Sequence, residues 1–584
     1  MAPEARTISE TPPNRSRRAR IFVLALVAAL YAATRFAAVF TVAANWDEFV
    51  LLDRAAHAVE TGMLEGGGRP GLTTLILMPF AADCDDEIAT VRHARLLWVC
   101  ITLCFLAGLG VLLAQVCAHS KHRVADVWLG VGLLALVPSF LEWSIQIRTD
   151  QLALAFGVWA GVALLASRRH LALAALAGMF FGAGYLATQK VVYVGALVGV
   201  LALGQLILAR EFRPAREALR AAACAAAFIL AVVGFHVATT TEFEVPREQN
   251  ALAFLTPTVV GKQISEFEYY RKTIGFSQYL EIVPTLGPHF LLLAAILAAT
   301  VARLRARSAP VGGLWLAWAV LAVGIAVGAF HASAFAYFWM TLGLFPAVAF
   351  AAAASSMRDA LPAGRERIAV LITAGLWFVL GTQGIARMAI LSIDTQSTQR
   401  ESLSFIHRNF DPADAGFHPE HGPFCRREAE PIRVYFSQVI FRHFAGETRE
   451  IHTRRLLEDL RRRPVKFVVQ SFRLNQFPVE VRRFLADNYQ PYRASVFIAG
   501  RHLAGSQGER SEFELIVPGR YRWLPFAGPQ LIRIGPRTLS PGEIAEFDVG
   551  HHTADFIEDV PGGVLVLAVN DPPAKAPLSF YKSY

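Results

Sequence analysis

The sequence has 584 residues, 54% of them hydrophobic, and its mean hydropathy is +0.40. A soluble protein rarely averages so apolar a composition, so a polytopic membrane protein is predicted. The net charge of +9 does not indicate nucleic-acid binding, because most Lys and Arg residues lie in short loops between apolar segments, where they set orientation in the membrane.

The chain begins with a polar stretch, residues 1–20, that is predicted to be a disordered cytoplasmic N-terminus. Its last part, from Arg15 to Arg20, is basic, and a long apolar run follows. No small-residue cleavage site ends that run, so it is predicted to be a retained first transmembrane helix and not a signal peptide.

Apolar segments long enough to cross a bilayer continue to about residue 392. They predict a polytopic α-helical membrane domain over 21–392, with about eleven transmembrane helices at 21–43, 94–118, 124–143, 150–167, 171–187, 190–209, 217–237, 289–304, 313–330, 334–355 and 367–391. Basic loops alternate with acidic, long or nearly uncharged ones. Because basic loops stay cytoplasmic, the loops 44–93 and 238–288 are predicted outside a plasma (inner) membrane, and an odd helix count also places the C-terminal region outside.

From about residue 395 the sequence becomes richer in Arg and Glu, and long apolar runs stop. Residues 395–505 alternate predicted helices with one strand, which indicates an extracytoplasmic α/β domain; these elements are predicted at 401–408, 453–462, 466–470 and 479–488. Residues 511–584 hold short apolar strands separated by Gly and Pro, which predict an extracytoplasmic β-sandwich-like domain.

The first outer loop carries the foremost candidates for chemistry, Asp47 and Glu48, directly after the first apolar run. The residues that follow predict a helix with an apolar stripe lying in the membrane interface. A carboxylate at this depth can accept a proton from an attacking hydroxyl, so Asp47 is predicted to be a catalytic base, supported by Glu48. The alternative is that Asp47 only caps the helix that follows it.

Other ionisable residues lie at the same outer level. Arg148 and Asp150 lie between the third and fourth predicted spans, and Lys190 begins the sixth. Such residues at span edges often mark a site, so Arg148 is predicted to bind phosphate or to pair with Asp150, and Lys190 to bind a lipid phosphate. The alternative for Arg148 and Asp150 is a simple ion pair at the membrane interface, and the alternative for Lys190 is that its side chain extends to the lipid headgroups. His331 and Tyr337 flank the last outer hairpin and are candidates for lining the same cavity.

Two features stay open at this level. The acidic run 83–87 is either a solvated turn or a divalent-metal site, and no other cofactor and no metal ligand is assigned. Cys84 and Cys425 lie outside the predicted spans, and no spacing decides whether they form a disulfide.

The order of these motifs resembles the GT-C superfamily, integral-membrane glycosyltransferases that use polyprenyl-phosphate sugars. The matching motifs are Asp47-Glu48, Arg69-Pro70-Gly71, Arg148-Thr149-Asp150 and Thr188-Gln189-Lys190. The layout is closest to the protein O-mannosyltransferase and aminoarabinose transferase branch, and the resemblance covers about residues 20–390.

The resemblance implies a role for each matched residue. Asp47 corresponds to the catalytic carboxylate of the first loop, and Asp150 to a second acidic residue of the outer cavity. Arg69 corresponds to a basic residue before the proline-containing stretch of that loop, and Lys190 to a basic residue that meets the carrier phosphate. Many members have Pro-Pro-Leu where this chain has Pro70-Gly71-Leu72.

The function so implied is inverting transfer of a sugar from a polyprenyl-phosphate-linked donor to a lipid, glycan or protein acceptor at the outer face. Two alternatives come from other classes: a transporter or flippase of lipid-linked saccharides, and a non-catalytic membrane scaffold whose outer domain binds glycan. Transporters often show two similar halves and broken mid-membrane helices, and the sequence shows neither. Convergence of Asp47, Asp150 and Lys190 on one site would favour the enzyme.

Overall fold

The structure is a computed structural model. It describes residues 15–584 apart from 66–68, 119, 121, 169, 210–212, 247–250, 253–295, 298–299, 302–311, 331–337, 360–365, 392–394, 419–423, 426–448, 575–578 and 582–584. Residues 1–14 of the predicted disordered N-terminus 1–20, most of the predicted span 289–304, and both His331 and Tyr337 lie outside this description. Residues 15–20 are not disordered but begin the first helix, Arg15–Thr41.

The membrane part consists of helices joined by short connections in its described residues, with one isolated bridge between Met63 and Glu244. Its helices are α1 Arg15–Thr41, α2 Trp46–Thr61, α3 Leu72–Ala81, α4 Glu87–Val116, α5 Arg123–Ala135, α6 Pro138–Trp143, α7 Thr149–Ala166, α8 Leu171–Ala187, α9 Val191–Ala209, α10 Pro214–Glu242, α11 Gly312–Phe330, α12 Trp339–Leu342, α13 Leu344–Asp359 and α14 Glu366–Leu391. Four of them are long and apolar enough to cross a membrane, at Phe22–Thr41, Glu87–Val116, Thr149–Ala166 and Pro214–Glu242, and shorter apolar helices accompany them. A multi-helix membrane protein is therefore confirmed, whereas the count of eleven spans is not.

Two predicted spans are interrupted. The span at 124–143 consists of α5 and α6, because Val137 precedes Pro138 and takes an extended backbone that ends the first helix. The span at 334–355 is described from Phe338 onward and consists of α12 and α13, with Gly343 between them. The break before α6 leaves residues 144–148 as a short, fully buried connection to α7.

Small residues allow close helix packing, as predicted for an apolar bundle in lipid. On α8, a side chain at Gly178 would collide with the backbone of Cys224 on α10, and one at Gly182 would lie 2.7 Å from the Cβ atom of Ala231. Helices α8 and α10 therefore pack closely at Gly178 and Gly182.

The two ends of α7 differ in chemistry. At its C-terminal end, Arg220 of α10 donates hydrogen bonds to the Ser167 hydroxyl and to the Leu164 carbonyl at 2.7–2.9 Å, and Arg216 donates to the Arg168 carbonyl. The N-terminal end carries Asp150 in its first turn. Arg168, Arg216 and Arg220 therefore lie at the end of α7 opposite Asp150.

The C-terminal part is rich in β-structure. Its helices are α15 Thr395–Asn409, α16 Arg449–Arg462 and α17 Val479–Asn488. Its strands are β1 Gly416–Phe417, β2 Phe467–Val469, β3 Tyr489–Arg493, β4 Val496–Gly505, β5 Arg510–Leu515, β6 Gly519–Pro525, β7 Ile532–Ile534, β8 Arg537–Leu539, β9 Ile544–Phe547, β10 Gly550–Phe556 and β11 Val560–Leu567. Within the described residues, one sheet has the order β1-β2-β4-β11-β6-β9 with β3 beside β4, and a second has the order β5-β10-β7-β8.

The long strand β4 joins the two predicted outer domains. Its first residues pair with β2, with Phe467 opposite Ile498, and its later residues pair with β11, with Leu565 opposite Arg501. One sheet therefore runs from the α/β part at 395–505 into the part at 511–584. The sequence suggested a division here because the composition changes, but the sheet has no break at that point.

This C-terminal domain, called the outer domain after its predicted location, is fastened to the predicted first outer loop. Cys84 and Cys425 form a disulfide, with their Cα atoms 5.2 Å apart, which decides the pairing that the sequence left open. The ring Nε2 of His407 on α15 lies 2.9 and 3.0 Å from the two carboxylate oxygens of Glu87 on α4. A covalent and a polar contact thus join α4 and the turn before it to the outer domain.

Candidate active site

The loop before α2 is closed by a capping box. The Asn45 side chain accepts from the Asp47 backbone N–H at 3.0 Å, and the Glu48 carboxylate accepts from the Asn45 backbone N–H at 2.7 Å. These bonds satisfy backbone donors that a helix start leaves unpaired. Capping is therefore carried out by Asn45 and Glu48, and the Asp47 carboxylate is left for other contacts.

Glu48 is the centre of a fully buried polar cluster. Its carboxylate accepts from Arg95 Nε and Nη2 at 2.7 and 2.6 Å, and from the Ile147 N–H at 2.9 Å; both charged side chains are 0% exposed. Arg95 also donates to the Val42 carbonyl at 2.6 Å and to the Ala43 carbonyl at 2.7 Å. This cluster ties the loop before α2 to α4 and to the connection before α7, which gives Glu48 a positioning role.

Asp47 faces a different partner. Its Oδ2 lies 2.8 Å from Arg148 Nη1, with the Asp47 side chain 26% exposed and that of Arg148 only 5% exposed. The sequence offered Asp150 or a phosphate as partners for Arg148, and the structure instead pairs it with Asp47. The predicted base and the predicted phosphate ligand are thus direct neighbours, although about 100 residues separate them in the chain.

Arg148 is held from several sides. Its guanidinium lies over the Trp143 ring at 4.4 Å from the ring centre, and its Nε donates to the Gln146 side chain at 3.1 Å. The same Gln146 oxygen accepts from the Asn45 side chain at 3.1 Å. Gln146 therefore couples the cap of α2 to Arg148, so the carboxylate of Asp47 and its guanidinium partner share one hydrogen-bonded frame.

A second ion pair lies at the start of α7. Lys190, between α8 and α9, places its Nζ 3.0 Å from Asp150 Oδ1, with the Lys190 side chain 19% exposed and that of Asp150 4% exposed. The sequence shows no acidic neighbour for Lys190, so a lipid phosphate was the predicted partner. Helix packing instead brings Asp150 to it, because the N-terminal end of α7 meets the α8–α9 connection.

Arg69 links these pairs electrostatically. Asp150 interacts with the charges of Lys190, Arg69 and Arg148, and Lys190 interacts with the same two arginines. Burial lowers the pKa of the Arg54 guanidinium on α2, and the positive charge of Arg69 adds to this effect. Arg69, Arg148 and Lys190 therefore all lie within electrostatic range of the Asp150 carboxylate.

Two residues of the acidic run 83–87, Asp86 and Glu87, form contacts that stabilise the fold. The Asp86 carboxylate caps α4 by accepting from the Ile88 and Ala89 N–H groups at 2.8 and 3.0 Å, and Glu87 pairs with His407. In the described parts of the chain, no group of three or more His, Cys, Asp or Glu side chains could hold a metal ion.

The apolar stripe of α2 also differs from its prediction. Phe49 and Leu52 are fully buried, and Phe49 contacts aromatic rings of the outer domain, with its centroid 5.5–5.6 Å from theirs. The stripe was expected to lie in the membrane interface. The part of the stripe at Phe49 and Leu52 is covered by protein instead, because the outer domain folds back over the first loop, whereas Val59 at the far end of α2 is 41% exposed.

Four residues of the site were not predicted, namely Asn45, Arg95, Gln146 and Arg54. Two of them have a signal in the sequence. Asn45 followed three residues later by Glu48 is a capping-box pattern, and Arg95 is a charge at the start of an apolar segment, a common sign of a functional or structural pair. Gln146 and Arg54 have no comparable signal.

No protein-family model and no curated protein sequence matches the chain. Among solved structures, it is similar to the Archaeoglobus fulgidus oligosaccharyltransferase (11% identity, TM-score 0.48, covering 95% of this chain and 97% of that one). It is also similar to ArnT from Cupriavidus metallidurans, with 12% identity and a TM-score of 0.37 over 82% of this chain and 98% of that one. The similarity to arabinosyltransferase EmbB from Mycobacterium smegmatis has 12% identity and a TM-score of 0.37 over 98% of this chain and 65% of that one. All three are GT-C glycosyltransferases, the superfamily that the sequence motifs resemble.

Proposed function

We propose that this protein is a membrane glycosyltransferase that transfers a sugar from a polyprenyl-phosphate-linked donor to an acceptor at the outer face of the membrane. The observation that supports this most is the convergence of Asp47, Arg148, Asp150, Lys190 and Arg69 on one charged cluster. These residues come from four separate segments of the chain. Their convergence is what a catalytic site needs and what a set of unrelated interfacial charges would not produce.

In the proposed reaction, Asp47 is the general base. Its carboxylate takes the proton of the acceptor hydroxyl while the hydroxyl oxygen attacks the anomeric carbon of the sugar. The bond from that carbon to the donor phosphate breaks on the opposite face, so the anomeric configuration inverts, and polyprenyl phosphate leaves. The partly exposed side chain of Asp47 can reach a substrate, whereas the adjacent Glu48 is fully enclosed.

The cations hold the donor phosphate and stabilise the charge that develops on it. Arg148 offers a planar guanidinium that matches phosphate geometry, and Lys190 supplies a compact ammonium. Because Arg148 also contacts Asp47 at 2.8 Å, this guanidinium would hold the base at one edge and the phosphate at another, so that the anomeric carbon can lie between the attacking hydroxyl and the leaving group. Arg69 adds positive charge to the same cluster, so the three cations would act together on the leaving phosphate.

The same proposal includes an orientation. The N-terminus lies in the cytoplasm of a multi-pass protein of the plasma (inner) membrane, and the site and the outer domain lie outside. The contacts of Arg216 and Arg220 at the far end of α7 support it, because basic loops are retained on the cytoplasmic side.

The decisive test is turnover by the purified full-length protein, reconstituted in lipid, with a panel of polyprenyl-phosphate sugars. Wild-type protein should release polyprenyl phosphate, by transfer or by slow hydrolysis, and Asp47→Asn should lower the rate by about 10²–10⁴-fold. Asp83→Asn, on the same outer loop but exposed, is the matched control and should turn over normally. Undiminished turnover by the Asp47→Asn protein would refute the assignment. Transport of an intact lipid-linked saccharide without release of polyprenyl phosphate would favour a flippase.

A further inference from the structure

The helix that carries Asp47 is held from its opposite side by the outer domain. Asp47 and Phe49 are two residues apart on α2, so their side chains point about 200° apart around the helix. Phe49 is 0% exposed, and its ring contacts Phe424, Phe580 and Tyr581 edge-on at centroid distances of 5.5, 5.6 and 5.6 Å. The rotation of α2 about its axis is therefore fixed by aromatic rings of the outer domain.

Gln399 on α15 fixes the backbone just before this helix. Its side-chain oxygen accepts from the Ala44 N–H at 2.9 Å, and its amide nitrogen donates to the Ala44 carbonyl at 2.8 Å and to the Phe580 carbonyl at 3.0 Å. Gln399 is 0% exposed, so these bonds are shielded from water. One side chain thus joins the residue before the α2 cap to the segment 579–581.

The segment 579–581 is itself attached to the outer sheet. The Phe580 N–H donates to the Gln470 carbonyl at 2.9 Å, and Gln470 directly follows strand β2. Phe580 and Tyr581 are 1% and 2% exposed. A continuous path therefore leads from the outer sheet through Phe580 and Gln399 to Ala44, three residues before Asp47.

We propose that Gln399 and the segment 579–581 are positioning residues that set the place of the Asp47 carboxylate, so that the outer domain is part of the catalytic unit as well as a cover. This rests on the proposed function of Asp47 as the base. Neither Gln399 nor Phe580 touches the charged cluster through any described contact, and they act through Ala44 and Phe49. Small displacements of a reacting group are costly, since a shift of about 1 Å can lower a rate by roughly 10²-fold.

The test uses the full-length protein and measures two quantities. Gln399→Leu removes all three hydrogen bonds at similar volume, and Phe580→Ala removes an aromatic contact to Phe49. Both should lower kcat roughly 10- to 100-fold and change the KM for the donor less than kcat, because no described contact joins Gln399 or Phe580 directly to Arg148 or Lys190. Hydrogen–deuterium exchange at the Ala44 amide, which donates directly to Gln399, should become faster in both. Phe580→Leu should recover most of the wild-type kcat.

The matched control is Phe556→Ala, which removes an equally buried ring (1% exposed) from β10, in the four-stranded sheet of the same domain. It should weaken the outer domain without changing kcat or the exchange of Ala44. Equal loss of kcat in this control would show general destabilisation and overturn the proposal. So would a wild-type kcat in Gln399→Leu.

The turnover and exchange measurements can fail independently, so they distinguish the positioning role from the proposed function. If the wild-type protein releases no polyprenyl phosphate from any donor, the function fails while the exchange measurement still tests the attachment. If Ala44 exchanges at the wild-type rate in both Gln399→Leu and Phe580→Ala, the attachment fails whatever the activity. Turnover that is lost in Asp47→Asn but normal in Gln399→Leu would keep the function and refute the positioning role.

Discussion

Asp47 and Glu48 are adjacent carboxylates, and their surroundings differ in every respect that matters for chemistry. Glu48 is fully enclosed and accepts four N–H donors, from Arg95, Asn45 and Ile147. Asp47 is 26% exposed and forms a salt bridge with Arg148. A buried charge whose bonds are all satisfied holds structure together and cannot reach a substrate. A carboxylate that is partly open and lies beside a cationic cluster can do so.

The largest expected effect is a loss of stability when Glu48, the enclosed carboxylate, is replaced. Glu48→Ala leaves the Arg95 guanidinium buried without its partner, which should lower the free energy of unfolding by about 3–5 kcal/mol. Thermal unfolding of the purified protein measures this. A double variant, Glu48→Leu with Arg95→Met, should recover much of the stability because both buried charges are gone. Equal stability of Glu48→Ala and wild type would show that the cluster does not support the fold.

The next effect concerns the donor phosphate. Lys190→Met should raise the KM for the donor about 10- to 100-fold, the equivalent of one hydrogen bond to a charged group of about 1.5–3 kcal/mol. It also leaves Asp150 buried without this cation, so some stability is lost. The double variant Lys190→Met with Asp150→Asn should regain stability and keep the high KM. Recovery of both together would mean that Lys190 serves only as a partner for Asp150.

The smallest expected effect comes from Gln146, which joins the cap of α2 to Arg148, the partner of Asp47. Gln146→Leu removes the bonds from Asn45 and from Arg148 Nε, so about 1 kcal/mol of stability should be lost. Its effect on kcat should exceed what that loss of stability explains, because Arg148 then loses one of the contacts that orient it toward Asp47. A kcat equal to that of the wild type, measured with saturating donor, would show that the Trp143 ring alone positions Arg148.

Much of the site could be anticipated from the chain. The acidic pair after the first apolar run, the Arg-Thr-Asp sequence at the start of α7 and the Thr-Gln-Lys sequence before α9 each lie beside an apolar segment. Charges at such positions are unfavourable unless they pair or bind. Loop charge then predicted that these positions share one end of the bundle. This argument put Asp47, Arg148, Asp150 and Lys190 at one level without a structure and left their convergence to be tested.

The sequence did not predict which carboxylate pairs with which of these cations. Arg148 pairs with Asp47 and Lys190 with Asp150, and both choices depend on how α2, α7 and the α8–α9 connection pack. The break before Pro138 shortens one helix and turns residues 144–148 into a buried connection. That connection supplies Gln146 and the Ile147 N–H, neither of which has a distinctive pattern in the sequence.

The sequence by itself determined that this is a helical membrane protein with a sheet-rich C-terminal region, and which charged residues lie beside its apolar segments, because apolar length and charge are recorded locally along the chain. The tertiary structure alone decided which carboxylate is enclosed and which is open. It also decided that the outer domain holds the first loop, through Gln399, Phe580 and the Cys84–Cys425 disulfide. Burial and long-range pairing depend on segments hundreds of residues apart, and no local pattern records them.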